Sequence, residues 1–489
     1  MHHLPSKIHQ KGTAFLTALV VTAVGIPQMK MPQTIQSAAD NRSITSPDSI
    51  TEFMARVRDM KQECSPKVLF SELTFDPERG ISCDGSKPLP QCGDFIAHNH
   101  SLYYRDSDGK NLTLEEAAKR IGCTYDTDAQ GVVTVSSPFQ SAQLIVRAEG
   151  EIETAGATDV TEGFGNLHVL QFADAEAAYT AYRTYQNMSG VSLVTPNRYY
   201  HVFAEEQSHR FGVPEPSWGY DYVGAESFYK TYLKPLEEKN QLPEIKVAIL
   251  DTGIFEEHDW FQGRIAAGGA SFVEGTLDSY EDQNGHGTHC AGIVCSVTDD
   301  NTKILPIQVL DSEGSGDSLG VYCGMLYAAE QNVNVISMSL GGFGEDPLFD
   351  EAIQLIEEKD IPICAAAGNE SDDADSSSPG RNPYCFTISA IDSDGDCAYF
   401  SNYGSLIDFA APGVDIMSAG LSDTDAREMM SGTSMATPYV AGCCAAVLSV
   451  APEYSVEQLE EVLIANSVDL GEVGFFGILT SPSSISDAA

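Results

Sequence analysis

Basic residues are scarce in this chain: 27 Lys+Arg stand against 71 Asp+Glu in 489 residues, a formal net charge of −44. Nucleic acid and anionic lipid both repel such a surface, so neither is expected as a partner. Beyond the N-terminal forty residues, no stretch reaches 18 uninterrupted apolar residues, and no membrane span is predicted there. The 12 cysteines include no C-x-x-C pair, which argues against a zinc site. What is present is enough apolar side chain (42%) to exclude a disordered chain, at a length that suits two or three packed units. The cysteine count itself fits an oxidising compartment.

The acid excess is concentrated. Residues 205–489 hold 10 Lys+Arg and 48 Asp+Glu, a net of −38, and residues 1–204 carry the remaining −6. This predicts solubility in a salty or acidic medium outside the cell, although a solvated face with no special role explains it equally. Residues 1–39 read as an export signal. Lys7 and Lys11 precede the apolar run 14–26, too short to cross a bilayer, and Ser37-Ala38-Ala39 supplies small residues for cleavage. The exported protein is then expected to be soluble, secreted and monomeric.

Residues 40–63 are polar and read as a flexible linker. In 64–140 short strand-like runs surround one helix, predicted to start at Thr113 with Glu116 three residues on, a capping-box pattern. The run FIAHNHSLYYRDSDGKNLTLEEAAKRIGCTYDTDAQGVVTV resembles the copper amine oxidase N-terminal-like modules appended to some secreted bacterial enzymes. That likeness covers about fifty residues, implies surface attachment at most, and carries no expectation of copper. In 141–204 two strands, around 143–147 and 167–172, precede a helix capped by Asp174 and then extended chain at Val191, Leu193 and Val202. Such a small α+β module before a large domain reads as a lid or a folding aid.

From about Ser217 the pattern alternates. Apolar runs at 246–250, 303–309, 333–338, 361–367 and 386–391 are interleaved with helical segments at 286–297, 319–331, 348–358 and 434–450. Buried strands between helices predict a parallel sheet covered on both faces, with the chemistry beyond the carboxyl ends of the strands. Three such positions make a nucleophile set: Asp251 in VAILDTGI, His286 in NGHGTHCAG and Ser434 in SGTSMATPYVAG. A serine hydroxyl attacks only if an imidazole takes its proton and a carboxylate orients that imidazole. Capping explains any one of them alone, but not all three together. Cys385 and Cys397 flank an apolar run and a turn, which suggests a cross-hairpin bridge. The adjacent Cys443 and Cys444 read as small core residues.

VAILDTGI, NGHGTHCAG, ISMSLGG, AAAGNE and SGTSMATPYVAG together resemble the segments of the subtilisin-like serine peptidases, the subtilases. The resemblance spans roughly the last 270 residues. It implies a three-layer α/β catalytic domain over 205–489, with Asp251 orienting, His286 as general base and acid, and Ser434 as nucleophile. His289 is structural by the same comparison. Asn369 matches the side-chain donor to the oxyanion, joined by the Ser434 N–H. A glycan on the sequon Asn369-Glu370-Ser371 would obstruct that site, so it is either skipped or never offered. Gly314-Ser315-Gly316 and Ser339-Leu340-Gly341-Gly342 match the two edges that hold an extended peptide as an added strand. The acidic Asp372, Asp373 and Asp375 read as a solvated loop, with selection of basic side chains as the alternative.

Residues 369–408 resemble the proteinase K branch. This implies an unpaired Cys290 beneath His286 and a structural calcium held by Asp408 with the backbone oxygens of Pro383 and Cys385. No other cofactor is required. The module at 141–204 resembles the inhibitor-like propeptide of subtilases, an intramolecular inhibitor cut away somewhere between Val202 and Ser217. The resulting expectation is a secreted serine endopeptidase made as a zymogen and acting on proteins and peptides. The alternative is a catalytically silent scaffold of the same fold, retained for binding or adhesion.

Overall fold

The computed structural model describes residues 15–18, 46–60, 72–83, 91–203, 217–273 and 279–472, positions 78, 107, 129, 150, 151 and 153 excepted. Most of the expected leader therefore lies outside the described residues. Phe15–Ala18 is a short strand of the main sheet, between Phe409–Pro412 and the edge strand Val468–Glu472.

The expected linker is instead a helix, α1 (Pro47–Met60). Ile50, Phe53, Met54 and Val57 recur at i, i+3, i+4 and i+7, the stripe of an amphipathic helix, and all four are buried. The stripe sits between two units. Phe53 meets the Phe164 ring edge-on at 5.5 Å and Arg56 donates to the Glu162 carbonyl at 2.9 Å, while Arg58 donates to the Ser271 carbonyl at 3.4 Å.

The following module contains two four-stranded antiparallel sheets and α2 (Leu114–Ile121), whose Thr113–Glu116 capping box is formed as predicted. Next comes an α+β unit with strands β1 (Gln143–Ala148), β2 (Asp159–Glu162), β3 (Leu167–Gln171), helix α3 (Ala175–Tyr185) and β4 (Val191–Pro196). Its sheet order is β2–β3–β1–β4, antiparallel throughout. Asp174 caps α3 by accepting the Ala177 N–H at 2.8 Å. One face of this sheet packs on the preceding module, and Ile145, Leu167 and Val169 pack with the large domain and α1. The chain leaves as β5 (Tyr199–Val202).

The large domain follows the predicted alternation: β6 (Ile245–Asp251), α4 (His286–Val297), β7 (Thr302–Gln308), β8 (Ser315–Asp317), α5 (Ser318–Glu330), β9 (Val335–Met338), β10 (Leu340–Phe343), α6 (Pro347–Glu357), β11 (Ile363–Ala366), β12 (Phe386–Ile391), β13 (Phe409–Pro412) and α7 (Thr433–Val450). Strands β7–β6–β9–β11–β12–β13 pair in parallel. Helices α4 and α7 cover one face, α5 and α6 the other, so the expected three-layer α/β arrangement is present. Helix α7 is long and apolar enough to cross a bilayer, but it lies almost wholly buried in the core.

Pro438 lies in the second turn of α7, which begins at Thr433. Its missing N–H would have bonded the Ser434 carbonyl, which instead accepts Ser339 Oγ at 2.8 Å and Cys290 Sγ at 3.5 Å. The cross-hairpin disulfide is not formed, because Cys397 carries a free thiol. Cys397 sits opposite Ile391, six residues along β12 from Cys385. At about 3.3 Å per residue that is roughly 20 Å, far beyond disulfide reach. Cys123, Cys290, Cys295, Cys323, Cys364, Cys443 and Cys444 are also free, and all are buried. In the large domain cysteine thus serves mainly as a small core residue, and its count argues little about redox compartment.

Candidate active site

The parallel strands deliver their carboxyl ends to one edge of the domain, and the polar residues gather there. Asp251 ends β6, 1% exposed, with Oδ1 accepting the Thr252 N–H and facing His286 Nδ1, each at 2.7 Å. His286 opens α4. Its position is set by Asp282, a buried carboxylate whose oxygens accept N–H groups from Asn284, Gly285 and Thr288 at 2.9 Å each. Asp282 went unremarked in the sequence; its place four residues before a Gly-flanked histidine at a helix start was the available signal.

Two opposing influences act on the imidazole. Burial disfavours its charged form, but Asp251 at 2.7 Å, together with Cys290, outweighs this and carries His286 well above its ordinary value. His286 Nε2 is buried and makes no hydrogen bond among the described residues. Cys290 Sγ lies 3.9 Å from Nδ1. His289 differs: burial, reinforced by the charge of His286, pushes it down to about 3, and Nε2 contacts the Ile416 and Glu428 carbonyls. It is a neutral strut.

Ser434 lies in the first turn of α7, where unpaired N–H groups and the helix dipole face outward. Its Oγ donates to the Ser339 carbonyl at 2.9 Å and accepts the Phe203 N–H at 3.0 Å. The Phe203 carbonyl oxygen accepts Asn369 Nδ2 at 2.8 Å and the Ser434 N–H at 3.4 Å. Asn369 Oδ1 in turn accepts the N–H and hydroxyl of Thr433 at 3.0 and 2.9 Å, so its amide is held by both ends. A glycan on that nitrogen is incompatible with this arrangement.

The two glycine-rich segments flank a strand, β5. β5 pairs antiparallel with β8, Tyr200 opposite Gly316 and His201 opposite Ser315. On its other side β5 pairs with β10, His201 opposite Gly341 and Val202 opposite Leu340. The Val202 N–H donates to the Gly314 carbonyl at 3.1 Å. The Phe203 ring lies so close over Gly341 that any Cβ there would collide with it, and Gly342 has the same relation to the Tyr200 ring. Nothing in the sequence marked Phe203 and Tyr200 as the occupants.

The acidic loop behaves as a solvated turn. Asp372 is exposed, and Asp373 accepts the Asp375 N–H at 3.1 Å, capping a short helical turn. Asp408 lies at the start of β13 with Oδ2 accepting the Thr387 N–H at 3.0 Å. Pro383 and Cys385 lead directly into the adjacent β12, so all three expected calcium donors lie at one end of one strand pair.

Comparison with known proteins agrees with this geometry. Residues 243–479 match the model of the Subtilase family. A cuticle-degrading serine protease of Arthrobotrys oligospora is 38% identical over 242 residues, covering 48% of this chain and 59% of that protein. Subtilisin-like protease 2 of Pseudogymnoascus destructans is 40% identical over 210 residues, 42% of this chain and 52% of that one. The chain thus spans between half and six tenths of these two relatives. An extracellular serine proteinase of a Thermus species is 32% identical over 315 residues, 60% of this chain and 73% of that protein. With a relative matched over nearly three quarters of its length, a parallel sheet covered by helices, and the family's motifs gathered at one edge of it, the chain belongs to the subtilase family.

Proposed function

We propose that the protein is a secreted serine endopeptidase made as a self-inhibited zymogen, with residues 141–203 as the inhibitory propeptide. One observation carries this reading: the Phe203 carbonyl oxygen rests between Asn369 Nδ2 and the Ser434 N–H, the two donors that would hold an oxyanion. Ser434 Oγ meets the same residue at its amide nitrogen. The bond to be cut is therefore Phe203–Ala204, inside the interval expected from sequence.

In this mechanism Ser434 Oγ attacks the carbonyl carbon while its proton passes to His286 Nε2, the ring nitrogen that Asp251 leaves uncommitted. Negative charge gathers on the oxygen between Asn369 and Ser434. The imidazolium, stabilised by Asp251, returns the proton to the departing amine, and water then releases the acyl group along the reverse path. The paired edges β8 and β10 align the scissile carbonyl through backbone hydrogen bonds, which suits extended protein and peptide substrates with an aromatic residue before the cut. Export is supported by the name of the extracellular Thermus relative and by the leader pattern of residues 1–39.

The test sets secreted wild type beside Ser434→Ala on a gel and in a mass spectrometer. Wild type should yield a mature chain beginning at Ala204, and the variant should stay joined there. If both mature alike, self-processing is wrong; if neither is cut although both fold, the silent-scaffold alternative replaces this reading. A structural calcium at Asp408 is part of the proposal, because one carboxylate and two carbonyls are the hard oxygen donors that ion takes. Chelation should lower the melting temperature of wild type, and Asp408→Asn should remove the response.

A further inference from the structure

The mechanism uses the amide and carbonyl of Phe203 and leaves Tyr200 unexplained. Tyr200 is the fourth residue before the proposed cut, and none of its surface is exposed. Its ring packs on Phe349 with centroids 4.6 Å apart, over the space left by Gly342. At the end of the pocket the phenol donates to Asp346 Oδ2 at 2.8 Å. Asp346 is itself 1% exposed, and among the described residues its carboxylate oxygens have two other contacts of this kind: Ser318 Oγ to Oδ2 at 2.6 Å and the Leu348 N–H to Oδ1 at 3.0 Å. The second of these caps α6, a task that Oδ1 performs alone.

A pocket meant only for an apolar ring gains nothing from a carboxylate at its end, since burying one is costly unless it is well hydrogen-bonded. Burial indeed pushes the Asp346 carboxyl up, against the pull of Ser318, Arg198 and Tyr200. From the hydrogen bond at the end of this closed pocket we infer that the enzyme selects tyrosine four residues before the cut bond, and that Asp346 is the residue that reads the hydroxyl. This rests on the proposed reading of the groove as the substrate site. Phenylalanine fills the same volume but leaves Oδ2 with Ser318 alone, in a place that water does not reach. Sites built to bond a substrate hydroxyl reject the analogue lacking it far more strongly than apolar pockets reject a missing methylene.

The experiment uses processed wild-type enzyme and two quenched peptides with the sequence of residues 198–206, one native and one with phenylalanine at the position of Tyr200. The native peptide should be cut with a kcat/KM about 10- to 100-fold higher, the range for a lost hydrogen bond to a buried charged group. Asp346→Asn keeps the volume and a capping oxygen, and should bring the ratio of the two peptides close to one. If that variant does not mature, full-length Tyr200→Phe supplies the second measurement, and its self-cleavage should be slower than wild type. Equal rates on the two peptides with wild-type enzyme overturn the selection while leaving the peptidase reading intact. Cleavage of neither peptide overturns the peptidase reading, and the selection with it.

Discussion

His286 is committed on one side only. With Nδ1 engaged by Asp251, the proposed mechanism leaves the proton from Ser434 one nitrogen to go to, and it requires that nitrogen to be unprotonated at the start of each turnover. The Asp251 carboxylate holds the imidazole above its ordinary value of 6.5, so the charged, inactive form persists to higher pH. Activity of the processed enzyme should therefore rise with pH through a midpoint above 6.5, measured as kcat/KM against a peptide substrate. Asp251→Asn should move that midpoint down and lower turnover by about 10⁴, as the imidazole loses its orienting partner. Asn369→Ala should lower kcat by about 10²–10³ with little change in KM, because its bond strengthens as charge develops on the carbonyl oxygen. These four polar residues were legible in the sequence because acyl transfer restricts residue type and order together. Phe203 and Tyr200 were not, because a strand that fills a groove has no composition of its own; only the fold brings it there.

At the scale of elements, the alternating strands and helices of the large domain were readable to within two residues at most ends, since buried parallel strands are continuous apolar runs. Helix α1 was missed although Ile50, Phe53, Met54 and Val57 have helical spacing. Four apolar residues in a polar stretch are too few to fold alone, and their stripe acquires meaning only against the surfaces of two other units. That position makes α1 a clamp. It grips β2 and the Phe164 turn on one side and the large domain on the other, beyond the region bonded through β5. Phe53→Ala should weaken this grip by about 3–5 kcal/mol if the cavity stays open. The lag before activity appears in a maturation assay should shorten accordingly, while the rate of the first cut should change little. Pro438 belongs to the same scale. By withholding one helical hydrogen bond it leaves the Ser434 carbonyl for Ser339 and Cys290, tying the nucleophile's backbone to the wall of the groove.

The whole molecule carries its acid on the part that would be released. A chain of net −38 repels itself, and screening relieves that repulsion over about 10 Å at 0.1 M salt. The melting temperature of the processed protein should rise between very low and near-physiological salt, as scanning calorimetry can measure. A flat response would mean that the charges are too well spaced to matter. The free thiols buried in the large domain have another kind of consequence. While the fold is closed they meet no oxidant, although Cys364 and Cys444 already touch. In an oxidising medium, a molecule that opens after losing its folding aid exposes them together, and wrong pairings trap it before it can close again. For such a protein durability is a waiting time, set by the height of the barrier to opening and not by the depth of the folded well.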